Sequence, residues 1–174
     1  MAGNYDFPII QVVGYKNSGK TTVTAELINY ASSQGIRVAS LKHHGHSTAL
    51  TPVHTITDSS RHKQAGAFLS GVEGGGAIQL EFNEIESLPL ERLLDIYEIF
   101  TPDLVIMEGF KKYDYPKIVL IKNEKEMELA SSLSNVRAVI AWENVTADVP
   151  IFHINKWRQQ LSELMRLLLE EGGS

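Results

Sequence analysis

In the segment Gly14-Tyr15-Lys16-Asn17-Ser18-Gly19-Lys20-Thr21-Thr22, the first eight residues satisfy the pattern G-x-x-x-x-G-K-[ST] at each of its specified positions. Gly14 and Gly19 allow the main chain to curl until successive N–H groups face one centre. The helix dipole that begins beyond them adds positive potential, so the turn forms a nest for phosphate. Lys20 reaches terminal phosphates as a point charge, and the Thr21 hydroxyl is of a type that binds Mg²⁺. The competing reading is a glycine-rich turn with a solvated lysine. The setting argues against it, because the pattern follows a β-branched run, Ile9-Ile10-Gln11-Val12-Val13, and opens an amphipathic segment. The expected chemistry is binding of a nucleoside triphosphate with Mg²⁺.

A phosphate loop of this kind needs a second carboxylate for the metal, normally at the carboxyl end of a neighbouring buried strand. Glu108 stands there after Leu104-Val105-Ile106-Met107, although it could instead pair with Lys111 or Lys112. Asp58 competes for the metal role and is equally suited to capping a short helix that carries Arg61 and His62. Lys42-His43-His44-Gly45-His46 follows the second strand and should reach the same carboxyl edge. Five of the six histidines fall between His43 and His62. Imidazoles suit zinc, nickel or copper, but no carboxylate or thiolate joins them at a recognised spacing. Lys42, His43, His44 and His46, with Arg61 and His62, therefore read better as a surface for an anionic ligand or a partner. Gly109-Phe110-Lys111-Lys112-Tyr113 has the mixed aromatic and basic content of a contact loop. No residue is assigned a catalytic role.

The elements that must position these groups alternate in type. A strand over Ile9–Val13 leads through the phosphate turn into a helix from Lys20, with Val23, Leu27, Tyr30 and Ala31 on one face and Gln34-Gly35 closing it. A strand over Ile36–Leu41 precedes a polar stretch from Lys42 to Thr57, whose length suits a functional loop. Strands over Ala67–Val72 and Ala77–Phe82 are separated by Glu73-Gly74-Gly75-Gly76, as in a hairpin. Pro89 suits a first helical position ahead of Leu90, Leu93, Leu94 and Tyr97. Strands over Leu104–Met107, Lys117–Ile121 and Val136–Trp142 follow, with a charged helix around Glu124 to Leu133. A last helix carries Trp157, Leu161, Leu164 and Leu168; this stripe and Trp142 read as core, or as a dimer face if exposed. The predicted fold is α/β and P-loop NTPase-like, a mainly parallel sheet with helices on both faces.

Bulk properties narrow the function. The 174 residues, 43% of them hydrophobic, suit a single nucleotide-binding domain over 1–174. Sixteen Lys and Arg against 21 Asp and Glu give a net charge of −5, which disfavours nucleic-acid binding as the main task. Without cysteine there are no disulfides, thiolate metal sites or thiol nucleophiles. The N-terminus lacks a signal-peptide pattern, and no apolar run approaches membrane-spanning length, so a cytoplasmic protein is expected.

The phosphate motif, Lys42-His43-His44-Gly45-His46, Asp58-Ser59-Ser60-Arg61-His62 with Ala65-Gly66-Ala67, and Leu104 to Lys111 together resemble the molybdopterin-guanine dinucleotide biosynthesis protein B family (MobB), over most of the chain up to about Lys122. The resemblance implies a GTP-binding P-loop protein, weakly hydrolytic and a homodimer. Such a protein assists the guanylyltransferase that attaches GMP to molybdenum-bound molybdopterin, with molybdopterin itself a candidate ligand. It also implies that Gly14 to Thr22 form the nucleotide loop, with Glu108 and Asp58 as metal or switch residues. Guanine preference is not legible: Asn155-Lys156-Trp157-Arg158 begins like N-K-x-D but ends in arginine. Two other functions use the same motif. A small-molecule kinase would be expected to carry an arginine-bearing lid, whereas the six arginines here are scattered. A metal-insertion GTPase would use the histidines.

Overall fold

A computed structural model describes residues 5–44, 61–62, 64–82 and 88–170. The chain divides into two compact units, one formed by Met1–Gly45 with Ile96–Ser174 and the other by His46–Asp95.

The first unit is built on a six-stranded sheet. Its strands are β1 (Ile9–Gly14), β2 (Val38–Lys42), β5 (Leu104–Glu108), β6 (Lys117–Ile121), β7 (Val136–Ala141) and β8 (Ile151–His153). Their spatial order is β2-β5-β1-β6-β7-β8, and all neighbouring pairs run parallel. Parallel strands need crossovers, and buried crossover sheets select continuous apolar runs. β5 and β6 accordingly are buried at every position. Alternate residues divide between the two faces. Ile10, Val12, Ile106, Ile118, Leu120 and Ile140 pack with Val23, Leu27 and Ala31 of α1 (Lys20–Ser33) and with Leu164, Met165 and Leu168 of a C-terminal helix. Val119, Ile121, Val139 and Ala141 pack with Leu129 and Ala130 of a short helix, Met127–Ser132. Each fully buried Leu or Ile contributes roughly 1.5–3 kcal/mol, so the two faces anchor the strand ends firmly.

Helix α1 stops where the sequence predicts. Gln34 caps it through N–H contacts to Ala31 and Ser32 carbonyls, and Gly35 takes the left-handed conformation with φ +81°. The C-terminal helix, Leu161–Leu169, is preceded by a 3₁₀ turn over Trp157–Gln160 that sinks Trp157 completely. This stripe is core, and Trp142 packs against the same cluster, so neither supplies an exposed dimer face. One strand escapes the sequence reading. β8 is three residues long and follows Pro150, too short for any periodicity to register.

In the second unit, β3 (Leu69–Gly74) and β4 (Ala77–Phe82) pair antiparallel as the predicted hairpin. Gly75 and Gly76 form its two-residue turn, both with positive φ (58° and 80°), which is the reason glycine occupies both places. α2 (Leu90–Glu98), which starts in the second unit and ends in the first, begins one residue beyond Pro89, whose carbonyl accepts from the Leu93 N–H.

Candidate functional site

The carboxyl end of β1 curls directly into α1. Asn17 and Gly19 both have positive φ, 59° and 81°, and the Ser18 N–H bonds the Tyr15 carbonyl at 3.3 Å. Gly19 stands at the helix N-cap with no side-chain cap, leaving the first-turn N–H groups to serve a ligand. A side chain at either glycine would invade the curl. A Cβ on Gly14 would lie 2.5 Å from Ser18 Oγ, and one on Gly19 would lie 3.3 Å from the Trp142 ring. Lys20 folds back over the turn, its Nζ donating to the Tyr15 carbonyl at 2.6 Å. Burial holds the Lys20 ammonium below the usual lysine range; Glu108 opposes this and Lys42 adds to it.

Strand order explains why residues far apart in sequence meet here. β5 lies between β2 and β1, so Glu108 is in register with both Val12 and Lys42. The Thr21 hydroxyl donates to the Glu108 carboxylate, 3.0 Å from each oxygen. Lys42 Nζ donates to Thr21 Oγ1 and to Glu108 Oε1, both at 3.1 Å. Glu108 is only 7% exposed. Its partner is thus Lys42 from the neighbouring strand rather than the sequence-adjacent Lys111 or Lys112, because pairing is set by sheet order. A hydroxyl and a carboxylate meeting at the phosphate turn suit Mg²⁺, which prefers hard oxygen donors.

The next loop is held close by. Gly109 (φ +91°) donates its N–H to the Val12 carbonyl, and Gln11 Nε2 holds the carbonyl of Phe110, itself at φ +54°, at 2.9 Å. The His43 and Phe110 rings are 5.0 Å apart, and Phe110 meets Tyr113 edge-on. Lys42 and His43 therefore share one edge with the phosphate turn, and His44 comes directly after them. Arg61 and His62 are exposed in helical backbone of the other unit. Asp58, Gly45 and His46 lie outside the described residues. Among those described, no three His, Asp or Glu side chains gather as a metal site.

Three features had no clear sequence signal. Trp142 buttresses Gly19 at the end of β7. Gln11 is a buried polar residue inside an apolar strand. Lys117 is wholly buried, its Nζ donating to the carbonyls of Tyr115 (2.8 Å) and Ser134 (2.5 Å). Arg158, the residue that breaks the N-K-x-D pattern, bonds Glu26 at 2.9 Å and lies over the Trp157 ring.

A parallel sheet with this turn at the head of its first helix defines a protein of the P-loop NTPase-like class. Within that class, the pattern of the Molybdopterin guanine dinucleotide synthesis protein B family (MobB) matches residues 9–142. The chain belongs to this family. It is 38% identical over 151 residues to the Bacillus subtilis protein described as "Probable molybdopterin-guanine dinucleotide biosynthesis adapter protein", covering 84% of this chain and 86% of that one. It is 31% identical to the Escherichia coli molybdopterin-guanine dinucleotide biosynthesis adapter protein, covering 87% and 84% of the two chains. The crystal structure of a MobB homologue from Bacillus stearothermophilus superposes with a TM-score of 0.75 at 33% identity, covering 92% of this chain and 97% of the other.

Proposed function

We propose that the protein is a GTP-binding adapter of molybdenum-cofactor biosynthesis, assisting the guanylyltransferase that forms molybdopterin guanine dinucleotide. The observation that carries the nucleotide part is the phosphate turn with Thr21 and Glu108 joined beside it. Gly14 to Thr22 would hold the triphosphate, Lys20 meeting its terminal charge. Thr21 and Glu108 would hold Mg²⁺, which supplies charge neutralisation of the phosphates when bound. The adapter role comes from family membership, since relatives bear that name.

Hydrolysis should be slow. Catalysis of phosphoryl transfer depends on a cation placed against the transferring group, and an arginine commonly serves. Four of the six arginines are engaged with other groups, Arg37 with Thr101 and Phe100, Arg137 with Asn135, Arg158 with Glu26 and Arg166 with Glu170. The role is then a nucleotide-dependent contact rather than turnover, in keeping with a cytoplasmic protein whose described helices are all too short or polar to cross a membrane. A homodimer would cover the face of the hairpin on which the exposed apolar side chains Leu69, Ile78 and Leu80 fall together. The edge carrying Lys42 and His43, with His44 beyond, is the surface offered to the guanylyltransferase or to anionic molybdopterin.

The test is binding of the purified protein to the guanylyltransferase of the same cell, measured by surface plasmon resonance with and without GTP and Mg²⁺. Complex formation favoured by GTP is expected. Absence of any complex under either condition would refute the adapter role.

A further inference from the structure

Lys42 stands in a position that the phosphate motif does not explain. Its ammonium touches both oxygen groups suited to the metal, 3.1 Å from Thr21 Oγ1 and 3.1 Å from Glu108 Oε1. The Thr21 hydroxyl has one proton, which it gives to Glu108, so its lone pairs face Lys42. A cation at Thr21 needs those same lone pairs, and it needs the charge of the same nearly buried carboxylate. Two cations crowded against one hydroxyl and one carboxylate repel each other, strongly so where burial reduces screening.

We propose that Lys42 is a resident counter-cation which holds the metal-binding oxygens assembled before ligand arrives and which Mg²⁺ must displace. The inference rests on the reading of the site as a nucleotide and Mg²⁺ site and adds a residue that sets its metal affinity. Three features fit this role. Glu108 is 7% exposed and, without Lys42, would be left with the Thr21 hydroxyl and the charge of Lys20, which is itself engaged with the Tyr15 carbonyl, so its nearly buried carboxylate would lose its direct cationic partner. Lys42, by contrast, has a side chain 56% exposed, so its ammonium leaves for water without opening a hole. A cavity of about 200 Å³ lined by Thr21, Ser40, Leu41, Lys42 and Glu108 gives it room to move.

Displacement has a thermodynamic signature. In the wild type, metal affinity is reduced by the free energy of the contacts that Lys42 gives up, while the phosphates of a bound nucleotide add oxygen ligands and negative charge that reverse the balance. Mg²⁺ is then taken together with nucleotide and not alone. Removing the ammonium should therefore strengthen metal binding, whereas removing a residue that helps hold the metal would weaken it.

The experiment compares wild type with Lys42→Met, Lys42→Gln and Lys42→Arg. GTP binding is followed by calorimetry across a Mg²⁺ series, and thermal melting is followed with Mg²⁺ alone. In Lys42→Met and Lys42→Gln, the half-saturating Mg²⁺ should fall about ten-fold, the scale of one charge-assisted hydrogen bond. Both should also melt higher in millimolar Mg²⁺ without nucleotide, whereas wild type and Lys42→Arg should not. An unchanged or raised Mg²⁺ requirement in the neutral variants would overturn the proposal, as would Lys42→Arg behaving like them. Those results, with wild type still binding GTP, leave the nucleotide reading standing. Wild type failing to bind GTP at any Mg²⁺ concentration would overturn both.

Discussion

Replacing Gly14 by alanine should damage the phosphate turn and, less severely, the fold. The added Cβ would lie 2.5 Å from Ser18 Oγ and 3.1 Å from both Cβ and the carbonyl oxygen of Leu120. Neither neighbour is free to yield. Ser18 is wholly buried, and Leu120 is fixed by its register opposite Gly14 in the β1–β6 pair. Overpacking of this kind costs about 1–3 kcal/mol, and a chain of this size loses about 2–4 °C in Tm per kcal/mol. Where the strain is relieved by distorting the turn, GTP affinity falls about ten-fold for each ~1.4 kcal/mol needed to restore it. Ser18 Oγ is buried with no hydrogen-bond partner, so Ser18→Ala alone should be nearly neutral. The double variant should then recover part of both losses, because the shortest contact is gone while the 3.1 Å contacts remain. Differential scanning calorimetry and GTP titration of the four proteins measure this cycle. Gly14→Ala melting and binding like wild type, or no recovery in the double variant, would refute the close-packed cradle.

Glu108→Gln keeps the shape of the side chain and removes its charge. The half-saturating Mg²⁺ for GTP binding should rise about ten-fold or more; an unaltered Mg²⁺ titration would move the metal role to Asp58. Lys117 offers a pH test. Burial pushes its ammonium down to about 8 from the ordinary 10.5, with Asp114 opposing. The unfolded chain therefore binds the proton that the folded chain has released between these values, and stability should rise with pH from about 8 to 10.5. Urea unfolding at several pH values should find that rise missing in Lys117→Met, and parallel pH curves for the two proteins would contradict it. Ile78 and Leu80 are 62% and 53% exposed on one face of the hairpin. Charging both as Ile78→Asp with Leu80→Asp should turn a dimer into a monomer by light scattering, and an unchanged mass would place the interface elsewhere.

Local features were the ones legible in the sequence. The turn Gly14 to Thr22, the end of α1 at Gln34-Gly35 and the Gly75-Gly76 hairpin each depend on a few adjacent residues whose backbone demands are strict. The link from Thr21 to Glu108 to Lys42 is different. It spans 87 residues in one direction and 21 in the other, and it exists because β5 inserts between β2 and β1. Residue types do not announce strand order, so the sequence marks Glu108 as a metal residue but offers only the adjacent Lys111 and Lys112 as its partners. Lys117 reads as an ordinary charged strand start, and its capture by the carbonyls of Tyr115 and Ser134 depends on where two loops come together. Trp142 reads as core on hydrophobicity alone, whereas its position against Gly19 comes from where β7 ends beside the phosphate turn.

The central claim is that the curl from Gly14 to Thr22 holds a triphosphate through its own N–H groups and Lys20. It is tested most directly by calorimetric titration of GTP with Mg²⁺ into wild type and Lys20→Ala, with circular dichroism establishing that both are folded. One GTP bound per chain in the wild type is expected, with affinity lost or weakened at least about a hundred-fold when the terminal charge partner is removed. Equal affinity in the two proteins, or no binding by the folded wild type, would contradict the account.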